Sequence, residues 1–519
     1  MSSSSKVLGA AFALTIAGLA APLQAQPACA QCHPREAENY QRSAMARSSG
    51  APEPEPSGRV VHKKSGSTVI IRSDAKGMVH ILEEAGLKAQ YRVAYSIGAG
   101  AVGRSYLVRI GEYLFQSPVS YFTSMNGWDL TPGYESERRL DFDHKIVTGC
   151  LFCHTGSVAL SGSSPDRYQE PAFTPISCER CHGPGDAHVK SPSAANIVNP
   201  AKAETRIRDS VCEQCHLEGA VRILNPGRDW WDFRAGQPLE KTFSVYVASD
   251  SGGGKAVSQV EQLAQSKCAR MSAGRLWCGT CHDPHGDAPA NRGQQIQAVC
   301  VSCHPKLSAA SHPEPVAQCT GCHMPARGAS DVVHAALTDH RILRRPDSQP
   351  KNQTTDVQGP VAWNSPPQPF DQRNLGLATL EVARDRNSTA LAREAARLLS
   401  TLPPNLAQEP EVLKALGFLL LEEHKAKNAV KFFAEAARMQ PNDAVDVLSE
   451  AVAYEAAGDE GDAIKTLQQA IHLDPSLQHA YFELAHLYGA QGQVTAAERV
   501  LRRYLELFPV SMKGRLQSE

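Results

Sequence analysis

The pattern of apolar and polar positions changes character several times along the chain. Residues 7–21 form an apolar run of fifteen behind a polar, singly basic start. From 59 to 143 short runs rich in Val, Ile, Tyr and Phe predict strands at 68–72, 91–97, 105–110 and 113–117, with Gly111-Glu112 as a hairpin turn between the last two. Residues 48–58, rich in Pro, Glu and Ser, read as a linker before them. Between Cys150 and Met324 no period is sustained, which predicts short helices in largely irregular chain, with a flexible loop at Ser251–Gly254. Six prolines between Pro346 and Pro369 predict an extended linker over 346–371.

The last third, 372–519, carries a helical period and a longer one above it. Pro441, Pro475 and Pro509 are spaced by 34 residues. The same offset relates Ala429, Ala463 and Ala497, then Phe433, Leu467 and Leu501, then Ala436, Ala470 and Tyr504. Gly417, Ala451 and Ala485 hold a small position in the first helix of each unit. A 34-residue repeat with these small and large positions is the tetratricopeptide pattern, a stack of helix pairs. Clear repeats fall at 410–443, 444–477 and 478–511, and 375–399 reads as a degenerate earlier pair. Such arrays present a groove to proteins or peptides. Ten residues follow Pro509, too few for a capping helix pair, so the last helix is expected to pack on the haem-bearing part, a second copy or a redox partner. The proline linker gives the array reach, which favours a separate partner or second chain over self-docking.

Composition narrows the class. Lys and Arg total 53 against 54 for Asp and Glu, a net charge of −1, without the basic footprint of a nucleic-acid binder. Aromatic residues make up only 6%, so extended stacking surfaces are not expected. The apolar run ending in Leu23-Gln24-Ala25 has the layout of a secretory signal peptide cleaved after Ala25, and fifteen apolar residues are short for a membrane span. The mature chain is expected to be periplasmic or secreted, with no transmembrane segment.

The abnormal number is fifteen cysteines, fourteen of them in seven Cys-x-x-Cys pairs each followed at once by His. The motifs are Cys29/Cys32/His33, Cys150/Cys153/His154, Cys178/Cys181/His182, Cys212/Cys215/His216, Cys278/Cys281/His282, Cys300/Cys303/His304 and Cys319/Cys322/His323. Cys-x-x-Cys-His is the attachment signature of c-type haem: the two thiols add to the vinyl groups and the adjoining His reaches the iron as proximal ligand. Zinc or disulfide bonding would use the cysteines but leaves the His unexplained. Seven chance hits have a probability on the order of 10⁻¹⁰. The expected cofactors are seven covalent haem c groups, packed closely between Cys29 and residue 345.

Each iron has a sixth position, and eight further histidines lie in or beside this region. His62, His144, His188, His285, His312, His334 and His340 are the candidate distal ligands, with His80 set aside because it falls in an apparent strand. His188 follows a Gly-Pro-Gly turn and His285 follows Asp-Pro, turns able to carry a ligand to a neighbouring haem. Closure of nearly every iron by two His favours electron transfer over binding of a small substrate. Met45 is a possible thioether ligand. Cys268, the odd cysteine, is expected to be buried near the fifth motif.

With these motifs in place the chain resembles exported multihaem c-type cytochromes fused to tetratricopeptide repeats, and its haem part is similar to tetrahaem carriers linked to hydroxylamine oxidation. The segments carrying the resemblance are 178–188, 278–286, 322–327 and 331–340. It implies electron transfer, haems in parallel and perpendicular pairs, and distal roles for His188, His285, His334 and His340. The stretch 96–106 matches the family's glycine-rich segment but lacks the His often found there. The expected fold is mixed: a haem-packed cytochrome c domain over 26–345, with a β-rich insert at about 59–143, then an all-α repeat solenoid. The expected function is electron transfer with redox partner proteins docked on the repeats; homo-oligomers are possible. The competing reading is an oxidoreductase acting on a small nitrogen or sulfur compound at one open haem. No catalytic residue is singled out.

Overall fold

A computed structural model describes residues 27–162, 165–247, 255–286, 292–305, 319–344, 359–364, 366–509 and 511. The apolar run at 7–21, the 251–254 loop, His312 and most of the proline linker lie outside the described residues.

The β-rich stretch is a nine-stranded antiparallel sheet. Its main path runs Gly58–Val61, Thr68–Asp74, Gly77–Glu84, Leu87–Ile97, Gly103–Ile110, Val119–Phe122 and Gly127–Leu130. Tyr113–Gln116 also pairs with Gly103–Ile110, and Ser49–Gly50 pairs with Leu87–Ile97. Ile110 faces Tyr113 in register, so Gly111-Glu112 is a two-residue hairpin loop, and Gly111 takes the φ of +60° that favours glycine. The sheet curls until its ends meet. Trp128 on the last strand lies against Gly58 on the first, where a Cβ would stand 2.3 Å from the indole. The segment read as a linker is pinned to this closure: Trp128 Nε1 donates to the Pro56 carbonyl, and Arg104 pairs with Glu53 and Glu55.

His80 sits in the sheet interior, its ring edge-on to Tyr106 and Trp128 at centroid distances of 5.4 and 5.5 Å. Its Nδ1 is 2.7 Å from the Ser117 hydroxyl. Burial drives its pKa down to about 3, so the folded protein holds it neutral.

The motif-bearing segments are short helices, among them Pro27–Cys32, Thr148–His154, Glu179–His182, Thr205–His216, Cys278–Cys281 and Cys319–His323. They carry little apolar core of their own. Between Tyr246 and Arg344 the one buried apolar residue among the described residues is Ala335.

Helix pairs fill the C-terminal part. First helices begin at Pro410, Ala444 and Gln478 and second helices at Ala426, Glu460 and Val494, so both sets keep the 34-residue step. An earlier pair, Asp371–Asp385 and Thr389–Ser400, precedes them. Phe433, Leu467, Leu501, Ala436, Ala470 and Tyr504 are all buried. Gly417 passes so close to Phe433 that a Cβ there would come within 2.8 Å of the ring.

The array is not free. Its last repeats share one apolar cluster with the sheet, in which Phe508 meets Phe115 edge-on at 5.4 Å and Tyr134, Leu140 and Phe142 join Tyr481 and Tyr504. Lys145 pairs with Asp474 and lies 4.1 Å over the Tyr113 ring. At the other end Arg373, nearly sealed from solvent, donates to Glu409 and to the Leu224 carbonyl at 2.7 and 2.8 Å. Asn374 donates to Asn225 and Ser244 at 2.9 and 3.0 Å. The linker adds a strand as well, Val361–Ala362 pairing with Phe243–Val247. The last helix thus packs within its own chain, the option that the linker's reach ranks below a separate partner or second chain. The apolar faces left over by the last helices and by the sheet cover one another.

Two outcomes follow. Phe508→Ala removes the aromatic wedge between sheet and repeats and should cost about 3–5 kcal/mol, read as a lower urea midpoint; a midpoint within error of the parent would mean the contact carries no stability. For His80 the unfolded state binds a proton near pH 6.5 and the folded state does not until near pH 3. Stability therefore falls as pH drops below about 6.5, by up to ~1.4 kcal/mol per pH unit from this group, and is insensitive to it above that. His80→Gln should flatten that slope between pH 6.5 and 4.5, and equal slopes in parent and variant would place the proton uptake elsewhere.

Candidate haem-binding site

A Cys-x-x-Cys pair wound on one helical turn brings both sulfurs to one face. The following His closes the same turn. The amides of His33, His182, His282 and His304 donate to the carbonyls of Cys29, Cys178, Cys278 and Cys300 at 2.9, 2.9, 2.9 and 3.0 Å. Four motifs thus share one local geometry.

The motifs converge on one cavity of about 3720 Å³, lined by the seven motif histidines and by every motif cysteine except Cys150. Divided among seven motifs the volume gives about 530 Å³ each, within the range of roughly 300–1,000 Å³ for a single ligand site. Motifs distant in sequence meet there. The thiols of Cys29 and Cys178 lie within hydrogen-bond reach, as do those of Cys153 and Cys215, Cys212 and Cys278, and Cys300 and Cys319. The Cys215 thiol donates to Cys153 and draws its pKa down to about 6. Motif one therefore adjoins motif three, two adjoins four, four adjoins five, and six adjoins seven.

Burial lowers the pKa of His154, His182 and His216, which keeps these imidazoles neutral and able to bind a metal. In several rings the tautomer is set by a backbone carbonyl, which only accepts. His182 Nδ1 donates to Val198 and His340 Nδ1 to Thr338, at 2.7 and 2.8 Å. His323 Nδ1 donates likewise to Leu343. Each such bond leaves Nε2 as the lone-pair nitrogen, the arrangement that orients metal-bound His. These carbonyls had no signal in the sequence.

Three motif histidines face a second imidazole across the cavity. The ring centroids of His33 and His188 are 6.4 Å apart with planes 19° apart. His182 and His285 are at 5.8 Å and 14°, and His282 and His340 at 6.2 Å and 17°. One metal between two Nε2 atoms, with about 2 Å per bond and about 1.2 Å from nitrogen to ring centre, requires roughly 6.3 Å between centroids. The residues present therefore fit haem, both in the paired thiols and in the spacing of the rings.

The other distal candidates go elsewhere. His62 is buried in the β-rich part with Nδ1 2.7 Å from the Ser65 hydroxyl. His144 stacks on Tyr134 at 4.0 Å. His334, expected from the family resemblance, pairs with Asp129 at 2.7 Å and meets Phe122 edge-on. None of the three lines the cavity. Partners in and beside the sheet hold all three away from it. Met45 does line it. Cys268 also lines the cavity, on the helix Lys267–Met271, and is solvent-accessible there.

Comparison with known proteins gives three family matches. A model described as cytochrome c554 and c-prime matches residues 120–183, one described as doubled CXXCH motif matches 271–309, and one described as tetratricopeptide repeat matches 454–511. No curated protein matches. Among solved structures, MamA from Desulfovibrio magneticus is 20% identical, covering 28% of this chain and 82% of its own at a TM-score of 0.26. A thermophilic TPR protein in Thermus thermophilus is also 20% identical, with 29% and 81% covered and a TM-score of 0.25. No helix among the described residues is long and apolar enough to cross a membrane. The thiol-and-imidazole cavity, the helix pairs and the family matches together show a multihaem c-type cytochrome fused to tetratricopeptide repeats.

Proposed function

We propose that this chain is an exported electron-transfer protein with seven covalent haem c groups, and that its repeats dock a redox partner. The observation that carries the reading is the three imidazole pairs at 5.8–6.4 Å, spaced to hold a metal from both sides. Haem iron cycling between ferric and ferrous states supplies the one-electron chemistry. Protein residues do the rest. The seven cysteine pairs tether the groups, and His33, His154, His182, His216, His282, His304 and His323 bind from the proximal side. His188, His285 and His340 close three sites belonging to motifs one, three and five, each reaching a motif other than the one it follows or returning from a later segment. The domain division follows: 1–25 removed on export, 26–345 haem-bearing, 346–371 joining, and 372–519 repeats. With the ends of the array held by the sheet and by Leu224, Asn225 and Ser244, the groove rather than the tip is the surface left for a partner.

One observation favours the enzymatic alternative at a single site. Among the described residues no second imidazole lies parallel to His154 or His216, so either motif leaves room for a small nitrogen or sulfur compound. Electron paramagnetic resonance of the oxidised protein separates the readings: wholly low-spin iron supports the carrier, and a high-spin component that shifts on adding nitrite, hydroxylamine or sulfite supports the enzyme.

Intact mass of the exported protein is expected to show seven haem additions and loss of the first 25 residues, and six or fewer additions would refute the count. His188→Ala, His285→Ala and His340→Ala should each convert one low-spin haem to high spin. Three variants that all stay fully low-spin would refute the pairing.

A further inference from the structure

Two guanidinium groups stand where motif two meets motif four. Arg180, inside the third motif, donates to the Phe152 carbonyl at 2.8 Å and lies 4.4 Å over the Phe152 ring and 5.2 Å over that of Trp231. Arg222, on the strand Val221–Leu224, directs Nη1 at Cys153 Sγ at 3.4 Å and donates to the Gln214 carbonyl at 3.1 Å and to the Leu217 carbonyl. Its Nε is buried with no hydrogen-bond partner. Among the described residues neither arginine forms a salt bridge. The carboxylate nearest in effect to Arg222 is that of Glu261, which accepts from the Gly219 amide and whose ionisation is disfavoured by burial.

These positions are costly for structure alone. A cation away from water needs a counter-charge, and the protein supplies carbonyls, rings and sulfur instead. Both cations act on the sulfurs of the same two motifs, since Cys153 and Cys215 touch. A positive charge beside a haem favours the ferrous form, which carries one less positive charge than the ferric, and so raises its reduction potential. Other arginines of this part are ion-paired: Arg341 and Arg327 share Asp339, and Arg208 binds Asp209.

We propose that Arg180 and Arg222 together set the haems of motifs two and four as the highest-potential pair of the array, the place where an entering electron comes to rest. This rests on haem attachment at those motifs, which mass and pyridine-haemochrome content report independently of potential.

The test is a spectroelectrochemical titration of the full-length haem-loaded protein and of Arg222→Met, Arg180→Met and the charge-keeping Arg222→Lys. A unit charge at about 10 Å through an effective dielectric of about 20 is worth about a tenfold change in the ferrous-to-ferric ratio, 59 mV for one electron. Each Met variant should lower the highest-potential component by about that tenfold while the others hold, and Arg222→Lys should restore most of it. Should Arg180→Met lose haem, Arg222→Met decides, because Arg222 lies outside every motif. Unchanged potentials in Arg222→Met at full haem content, or an equal drop in Arg222→Lys, overturn the proposal. A lowered haem content in the parent protein would instead refute the attachment on which it rests.

Discussion

The covalent hold on haem is the constraint from which the other features follow. A stretch of nearly a hundred residues after Tyr246 with Ala335 as its sole buried apolar residue, among those described, has no core of its own to offset the entropy of ordering it. What the stretch has is thiols in pairs and imidazoles with fixed tautomers, all facing one cavity. Order in such a chain comes from many short tethers to rigid groups. The helices can therefore be as short as Cys278–Cys281, because each needs only one turn to present two sulfurs and a ring.

Around this centre the protein places two conventionally packed bodies, the curled sheet and the helix pairs, and makes them support each other. The interface between them is mixed in kind. Phe115, Phe142, Tyr504 and Phe508 supply apolar area, while Lys145 and Asp474 fix register at the edge. At the far end Arg373 and Asn374 tie the helix pairs to a second, smaller sheet, through Leu224, Asn225 and Ser244. Polar networks of this kind tolerate little displacement, since a partner lost from a buried guanidinium leaves a donor unmet.

The parts legible in the sequence were those governed by local rules. The 34-residue step gave helix starts at Pro410, Ala444 and Gln478 because each repeat is a self-contained unit with a small residue where helices cross. Runs rich in Val, Ile, Tyr and Phe located four of the strands, while Gly58–Val61, Val119–Phe122 and Gly127–Leu130 were not picked out. The haem motifs were legible because their chemistry demands adjacent residues. Which spare histidines face the cavity was legible only in part. His188 and His285 stood out by the turns before them, whereas His62, His144 and His334 are set apart by Ser65, Tyr134 and Asp129, of which Tyr134 and Asp129 come into place only in the fold. The proline-rich stretch misled for the same reason, since Val361–Ala362 becomes a strand only when Phe243–Val247 is there to receive it.

Helical repeat arrays ordinarily evolve by gaining or losing whole units, because each unit touches only its neighbours and the ends are indifferent to the count. This array has lost that freedom. Its first helix is keyed to Leu224 and Asn225 and its last to Phe115, anchors that belong to two different sheets of the chain. Duplicating or deleting 34 residues would carry one end past its anchor while the other stayed bound. The number of repeats is thus a dimension of the molecule, set like the length of a beam between two walls, and lineages that change it must rebuild a wall.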